Sequence, residues 1–496
     1  MSKKWLPSLI GLSIFAMLGR LLGFVREMLI ASGFGATDIT DSYLTALILF
    51  DIAMAANTSF LQGSFAYSAE VKHKNDLDKG LVNLGLRIFI FITAAACIYY
   101  FFAGDIIQLF YSRPPKATGT IINSTRLFFF LSSFLAAGGV FSALLQMKGY
   151  LTNPGSLIIF LNVSSILFLI LFKGSAGIVS IPLGFLIGGI FFFAYQLILI
   201  KKSGLTLKTN PGYKLTGWSA IFIIIFINSL FPSILGLLER YFAYSFTEGA
   251  FSHYQYAQKI LQLPLTILSF AISASLLPLQ VKSVKEGNGK EFVSATLNGI
   301  KISVVTSAFF AAVFFILAEP VIEIIYMRGS FNYADMIETS SALRMLSLGL
   351  VPYLLTPVIA NIYLSKKGTK KLITINLVFA AAQVLSLSVL TLYFPGIKSL
   401  SINWIAMAWL NNIALLAYSM IKMDFRFKSV EIIKMILILA GAVLSSAAIY
   451  LLVPRFENAW VNLFLKGAVL FAAYAAAAAA IFKNDLSALL KSLRKS

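Results

Sequence analysis

Charged side chains are scarce in this chain. Asp, Glu, Lys and Arg make up 12% of its 496 residues, whereas about 25% is typical of a soluble globular domain. The mean hydropathy is +0.86, and long apolar runs recur throughout the sequence. Because about 20 apolar residues in a helix cross a bilayer, these runs predict an all-α polytopic membrane protein. Membrane strands are excluded, since they would alternate between apolar and polar residues.

The chain also has little of what disulfides, metal sites and nucleotide sites need. Its one cysteine, Cys97, allows no disulfide framework. The two histidines, His73 and His253, are far apart and resemble no metal site. No GxxxxGK[ST] motif is present, so no ATP-binding loop is encoded. A membrane-embedded glycosyltransferase or ligase would need a large catalytic loop, and none is found. We therefore expect a transporter, not an enzyme, with no cofactor apart from a coupling ion of unspecified identity.

The apolar runs predict fourteen transmembrane spans. These are residues 6–32, 40–66, 81–103, 125–147, 155–173, 176–200, 217–243, 250–278, 295–318, 340–364, 372–394, 401–421, 431–453 and 459–482. Connections on one side hold most of the Lys and Arg, so the positive-inside rule places both termini in the cytoplasm. Topology and attraction to anionic lipid account for the net charge of +20. No nucleic-acid partner is expected.

Similarities recur along the chain at a nearly constant offset. Arg26 recurs as Arg240, and Asn162 recurs as Asn376 at the same spacing. Arg20 has no charged counterpart, since Ile234 stands at the equivalent position. The asymmetry suggests that Arg20 serves the substrate more than the scaffold.

The repeat predicts two six-helix lobes in parallel orientation, because each contains an even number of helices. The predicted domains are 1–210 and 211–428, followed by two additional helices and a basic cytoplasmic tail at 429–496. Short amphipathic pieces at 106–113 and 321–328 are expected to lie along the outer membrane surface.

Polar residues inside the apolar runs concentrate in the first two spans of each lobe. They are Arg20, Arg26, Glu27, Asp41, Asp51 and Gln62 in the first lobe, and Glu239, Arg240, His253, Gln258, Lys259 and Gln262 in the second. Each charge would cost roughly 2.5 kcal/mol in lipid, so most are expected to face protein, water or a ligand. Because Arg forks match phosphate oxygens, the basic excess predicts a cavity for a phosphate or diphosphate.

Structural roles compete with ligand binding at several of these positions. Glu27 fits an internal ion pair with an arginine, and the adjacent Glu239 and Arg240 fit an ion-pair site between helices. Asp51 fits either a cation-coupling site or a hydrogen bond to another helix. The Gly19-xxx-Gly23 spacing lets a neighbouring helix approach closely.

Three motifs carry a family resemblance. They are Gly19-Arg20-Leu21-Leu22-Gly23-Phe24-Val25-Arg26-Glu27, Tyr256-Ala257-Gln258-Lys259-Ile260-Leu261-Gln262-Leu263-Pro264 and Arg328-Gly329-Ser330-Phe331. The chain resembles the MurJ/MviN lipid II flippases of the multidrug/oligosaccharidyl-lipid/polysaccharide exporter superfamily. The likeness runs in order through most of the chain.

The resemblance implies a V-shaped pair of lobes around a cationic cavity, with a groove for the lipid tail at the last two helices. It implies translocation of lipid II, an anionic undecaprenyl-diphosphate-linked precursor, from the inner to the outer leaflet by alternating access. The expected substrate-binding residues are Arg20, Arg26, Lys259, Asp41, Gln262 and Arg240. Glu27, Asp51 and Glu239 are expected as ion-pair or coupling residues. Membrane lipids are the other expected partners, and a monomer is expected.

Two alternatives remain at this point. Gln258, Lys259 and Gln262 stand where the family has Asp, Arg and Glu, so a flippase for another lipid-linked oligosaccharide is an alternative. A cation-coupled drug antiporter of the same superfamily would want an acidic cavity, and the predicted cavity is basic.

Overall fold

The computed structural model describes residues 5–70, 77–110, 117–205, 218–243, 246–423, 425, 429–454 and 456–482. Its helices are α1 (Trp5–Phe34), α2 (Asp38–Glu70), α3 (Leu77–Phe110), α4 (Thr118–Met147), α5 (Asn153–Ala176), α6 (Ser180–Lys202), α7 (Trp218–Ala243), α8 (Ala250–Lys285), α9 (Gly289–Ile316), α10 (Ala318–Tyr326), α11 (Tyr333–Ser347), α12 (Leu350–Ser365), α13 (Thr369–Tyr393), α14 (Ile397–Lys422), α15 (Ser429–Leu452), α16 (Ala459–Val461) and α17 (Gly467–Ile481). A 3-10 turn, Gly177–Val179, joins α5 to α6, and a π-helical turn, Asn462–Lys466, joins α16 to α17.

The prediction of an all-α polytopic membrane protein is confirmed. Within the described residues, ten helices are long and apolar enough to cross a membrane, or eleven if a bent pair counts as one span. Residues 153–202 count once there, although the 3-10 turn divides them into α5 and α6. The number fourteen stays a prediction. The predicted domain boundary at 210/211, both termini and most of the basic tail lie outside the described residues.

The helices pack as two compact units. Unit 1 is Met1–Tyr244 with Gly329–Phe331, and unit 2 is Ser245–Arg328 with Asn332–Ser496. Helices of the two halves start at a similar spacing in the sequence. Helix α1 starts at Trp5 and α7 at Trp218, while α6 starts at Ser180 and α14 at Ile397.

Unit 1 is built around the contact between α2 and α4. Asn57 on α2 donates a hydrogen bond to the carbonyl oxygen of Leu135, 2.6 Å away, and Gly139 leaves room for the backbone at Asn57. The other side of α2 packs on α7, where the ring of Phe60 stacks on that of Phe222 with centroids 4.3 Å apart. Helix α7 therefore belongs to unit 1.

Helices α5 and α6 form an antiparallel hairpin. Gly184 on α6 lies against Ser165 on α5. Gly188, one turn further along α6, lies against Phe160, which precedes Ser165 on α5. A methyl group added at Gly184 would lie 2.5 Å from the Cα atom of Ser165. The two helix backbones are in contact at these positions, so there is no room for a side chain larger than that of glycine.

The core of unit 2 lies between α8, α9, α12 and α14. Tyr363 on α12 is fully buried, and its hydroxyl donates to the carbonyl oxygen of Leu415 on α14. Asn412 on α14 donates to the carbonyl oxygen of Pro352 at 2.8 Å. Helix α15 covers one side of α9 and also packs on α17.

Pro352 accounts for a break that the predicted spans did not contain. The expected span 340–364 is a bent pair, α11 and α12, which meet at 41°. Pro352 cannot donate a hydrogen bond to the carbonyl four residues earlier, at the junction. Pro320 lies in the first turn of α10, where its missing N–H is tolerated, just after the break from α9.

One expectation for the amphipathic pieces is wrong. Asp105 is the repeat equivalent of Pro320 when 106–113 are matched with 321–328, but it has a backbone N–H, and α3 continues unbroken to Phe110. Residues 106–110 are therefore part of α3 and not a separate segment, while 111–113 lie outside the described chain. In the second half, the nine-residue α10 is separate.

We predict that Gly184→Val lowers the stability of the protein by about 1–3 kcal/mol, because the added carbons overpack the α5–α6 contact. Thermal unfolding in detergent measures the loss. The control is Gly174→Ala on the same hairpin, where an added methyl group meets no atom within 4 Å. An unchanged melting temperature for Gly184→Val would contradict the described contact.

Candidate functional site

Helix α1 lies against α5 through its two spaced glycines. A methyl group at Gly19 would lie 2.7 Å from the Cγ2 atom of Ile158, and Gly23 lies beside Asn162. The amide of Asn162 donates to the carbonyl oxygen of Gly19 at 2.9 Å. The glycine spacing therefore serves packing within unit 1.

The same contact positions Arg26, which is buried. Its guanidinium donates to Asn162 Oδ1 and to Glu27 Oε1, both at 2.7 Å, and lies 4.7 Å from the ring centre of Phe185. Glu27 is 2% exposed. The carboxylate compensates the charge of Arg26, so both ions are accommodated inside the unit.

A second buried arginine joins α7 to α2. Arg240 donates through Nε to the carbonyl oxygen of Leu44 and through NH2 to Asp51 Oδ2, each at 2.9 Å. The side chain of Asp51 remains 44% exposed. The sequence left two interpretations of Asp51, a cation-coupling site and a hydrogen bond to another helix. In the structure Asp51 contacts another helix, through Arg240 on α7. Glu239 is half-buried and, among the described residues, makes no hydrogen bond or ion pair.

Arg20 differs from these two arginines. It lies on α1 about 120° around the helix from Arg26, pointing away from the α5 contact, and it is exposed. In the described part of the chain it has no ion pair and no side-chain hydrogen bond. Asp41 lies in the first turn of α2 and is half-buried. Helix α1 thus carries a compensated arginine, Arg26, and an exposed one, Arg20.

The remaining predicted residues lie on α8 in unit 2. Lys259 is half-buried and Gln262 is exposed. They are three residues apart and so lie on one face of the helix. Lys259 makes no ion pair or hydrogen bond with any described residue, while the neighbouring Gln258 donates to the hydroxyl of Tyr254 at 2.7 Å.

Sequence reasoning did not identify two contributors to the Arg26 environment. Asn162 binds both Arg26 and α1, and Phe185 lies against the guanidinium. The recurrence of Asn162 as Asn376 was a signal, because an asparagine at equivalent positions of two halves suggests a structural contact. For Phe185 the sequence carried no signal, since phenylalanine is abundant throughout the chain.

A family model described as lipid II flippase MurJ matches residues 30–471. The chain belongs to the MurJ family. A relative from Buchnera aphidicola subsp. Acyrthosiphon pisum, named probable lipid II flippase MurJ, is 27% identical over 380 residues, covering 72% of this chain and 73% of the relative. Another MurJ relative of that name, from Haemophilus influenzae, is 23% identical over 482 residues and covers 90% and 92%.

Solved structures show the same fold. A lipid II flippase MurJ in an inward closed conformation superposes with a TM-score of 0.81 at 20% identity, covering 96% of this chain and all of the other. An inward-facing multidrug resistance MATE transporter gives 0.69 at 14% identity, covering 84% and 98%. The chain thus has the fold of these MurJ and MATE structures.

We predict that Arg26→Met destabilises the protein by about 3–5 kcal/mol, because Glu27 would remain buried without a counter-charge. The double variant Arg26→Met/Glu27→Gln should recover a large part of the loss. Thermal unfolding in detergent compares the variants. The control is Arg20→Met, which removes the same charge from the same helix at an exposed position and should cost little. Equal losses for Arg26→Met and Arg20→Met would contradict the assignment.

Proposed function

We propose that this chain translocates lipid II from the inner to the outer leaflet of the bacterial inner membrane by alternating access. Membership of the MurJ family and the names of its relatives support this substrate. The chain is a multi-pass membrane protein. The concentration of Lys and Arg in alternate connections supports cytoplasmic placement of both termini. We take the monomer as the functional unit.

The observation that carries the proposal is the contrast between Arg20 and the two buried arginines. Arg26 has Glu27, and Arg240 has Asp51. Arg20 has no anionic partner in the described chain, although an uncompensated arginine inside a membrane helix costs about 2.5–3.5 kcal/mol or more. An anion bound by Arg20 would offset that cost, and a diphosphate matches the planar fork of donors.

We propose distinct roles for the cations. Arg20 contacts the diphosphate directly. Arg26 and Arg240 position α1 and α7 through their contacts with Asn162, Asp51 and Leu44. Lys259 on α8 makes no ion pair or hydrogen bond with any described residue, and we propose that it also binds a phosphate oxygen during the transport cycle.

Polar groups beside these cations complete the proposal. Gln262, on the same face of α8 as Lys259, and Asp41 are proposed as further contacts to the headgroup. Glu239, which makes no hydrogen bond or ion pair with any described residue, is the carboxyl group that we propose for coupling to an ion gradient. The polyprenyl tail stays in the lipid, so translocation itself requires only that the charged headgroup be solvated.

We predict that Arg20→Ala abolishes transport while leaving the melting temperature unchanged, because Arg20 binds the headgroup and contributes no contact to the scaffold. Rescue of a flippase-depleted strain, with outer-leaflet lipid II quantified directly, measures the effect. Arg20→Lys should retain partial activity as a point charge. Lys282→Ala, which removes a charge from an exposed i,i+4 pair, is the control and should rescue fully. Full rescue by Arg20→Ala would overturn the proposed role.

The same strain separates the two substrate classes. Gln258, Lys259 and Gln262 stand where the family has Asp, Arg and Glu. The chain is therefore also to be tested as a flippase for another lipid-linked oligosaccharide. Rescue with lipid II in the outer leaflet supports the main proposal. A stable, correctly inserted wild-type chain that leaves lipid II in the inner leaflet would contradict it.

A further inference from the structure

In unit 2, the added C-terminal helices cover one face of α9. Lys301 on α9 forms an ion pair with Glu431 on α15, with Nζ and Oε2 2.8 Å apart. The hydroxyl of Tyr474 on α17 donates to the carbonyl oxygen of Val305 at 2.8 Å, and its ring lies against Phe309. Protein, and not lipid, therefore covers this face.

The equivalent face of α3 in unit 1 is uncovered in the described chain. Arg87, the repeat equivalent of Lys301, is exposed and has no ion pair there. Ile98 is 63% exposed, whereas its counterpart Ala312 is 5% exposed. The main packing partner of α3 is α4, which leaves the Arg87 side open.

A concave surface is present at the equivalent place in both units. In unit 2 a cavity of about 1450 Å³ lies between α9, α10 and α15. In unit 1 a groove of about 670 Å³ lies between α3 and α4. Three pairs of repeat-equivalent positions line both: Ile98 and Ala312, Phe102 and Ile316, and Asp105 and Pro320, the last pair following the one-residue shift that matches 106–113 with 321–328. The groove is thus the counterpart of the cavity without the helix that closes it.

We propose that the α3–α4 face of unit 1 docks a transmembrane helix of a partner protein, as α9 docks α15. The partner helix carries an Asp or Glu near the end that lies beside Arg87, in the position of Glu431. Its packing face is made of small and aliphatic side chains, like Leu439, Ala442 and Val443 of α15. Charge complementarity at Arg87 fixes the register, and the concave groove receives the ridge of the helix.

The sole cysteine makes the test direct. Cys97 is exposed on α3, and its repeat equivalent, Ala311, lines the cavity under α15. The probe is a synthetic peptide of residues 429–452 with one cysteine at position 443, 446 or 447, mixed with the full chain in vesicles of zwitterionic lipid. Oxidation should form a disulfide between Cys97 and the peptide.

Charge reversal separates specific docking from collision. Arg87→Glu in the chain, or Glu431→Arg in the peptide, should each lower the adduct about fivefold, and the two together should restore it. Arg87→Lys should retain the adduct, and thermal unfolding verifies that every chain variant remains folded. An adduct no greater than that of a sequence-scrambled peptide, or one unaffected by charge reversal, would overturn the proposal. Loss of the charge dependence on adding phosphatidylglycerol would assign Arg87 to anionic lipid instead, and would also overturn it.

Discussion

Bringing an arginine into the apolar region of a membrane helix costs about 2.5–3.5 kcal/mol on insertion scales, and unit 1 meets this cost in two ways. Arg26 and Arg240 are buried against carboxylates and backbone or amide oxygens supplied by other helices. Arg20 is exposed and is not compensated by any described residue. The difference separates two arginines that hold helices together from Arg20, the arginine that we propose as the binding group.

The scaffold role follows from what each pair joins. Arg26 reaches Asn162, which also binds the backbone at Gly19, so the α1–α5 contact and the ion pair support each other. Arg240 joins α7 to α2 across 189 residues of sequence. Removing either arginine would leave a carboxylate without its counter-charge. The positions of α1 and α7, and so the orientation of Arg20, depend on these buried pairs.

The sequence predicted the helical membrane fold, the internal repeat and the energetic anomaly of each charge, because hydropathy and charge are local properties. It could not choose the partners. Glu27 is adjacent to Arg26, but the decisive ligand Asn162 is 136 residues away, and such a contact depends on helix packing. The continuation of α3 past Asp105 and the break at Pro320 show how one residue changes an element that the repeat alone would make identical. Neither Asn162 nor Phe185 was predicted as part of the Arg26 environment for the same reason.

Repeats with different surroundings also explain why equivalent cations differ. Lys301 is satisfied by Glu431 of an added helix, whereas Arg87 is not satisfied within the described chain. The central claim, that the uncompensated Arg20 binds the diphosphate, is tested most directly by equilibrium binding of undecaprenyl diphosphate to the purified chain. We predict that Arg20→Gln weakens binding at least about tenfold, equivalent to about 1.4 kcal/mol, at an unchanged melting temperature. Wild-type affinity in a folded Arg20→Gln variant would contradict the account.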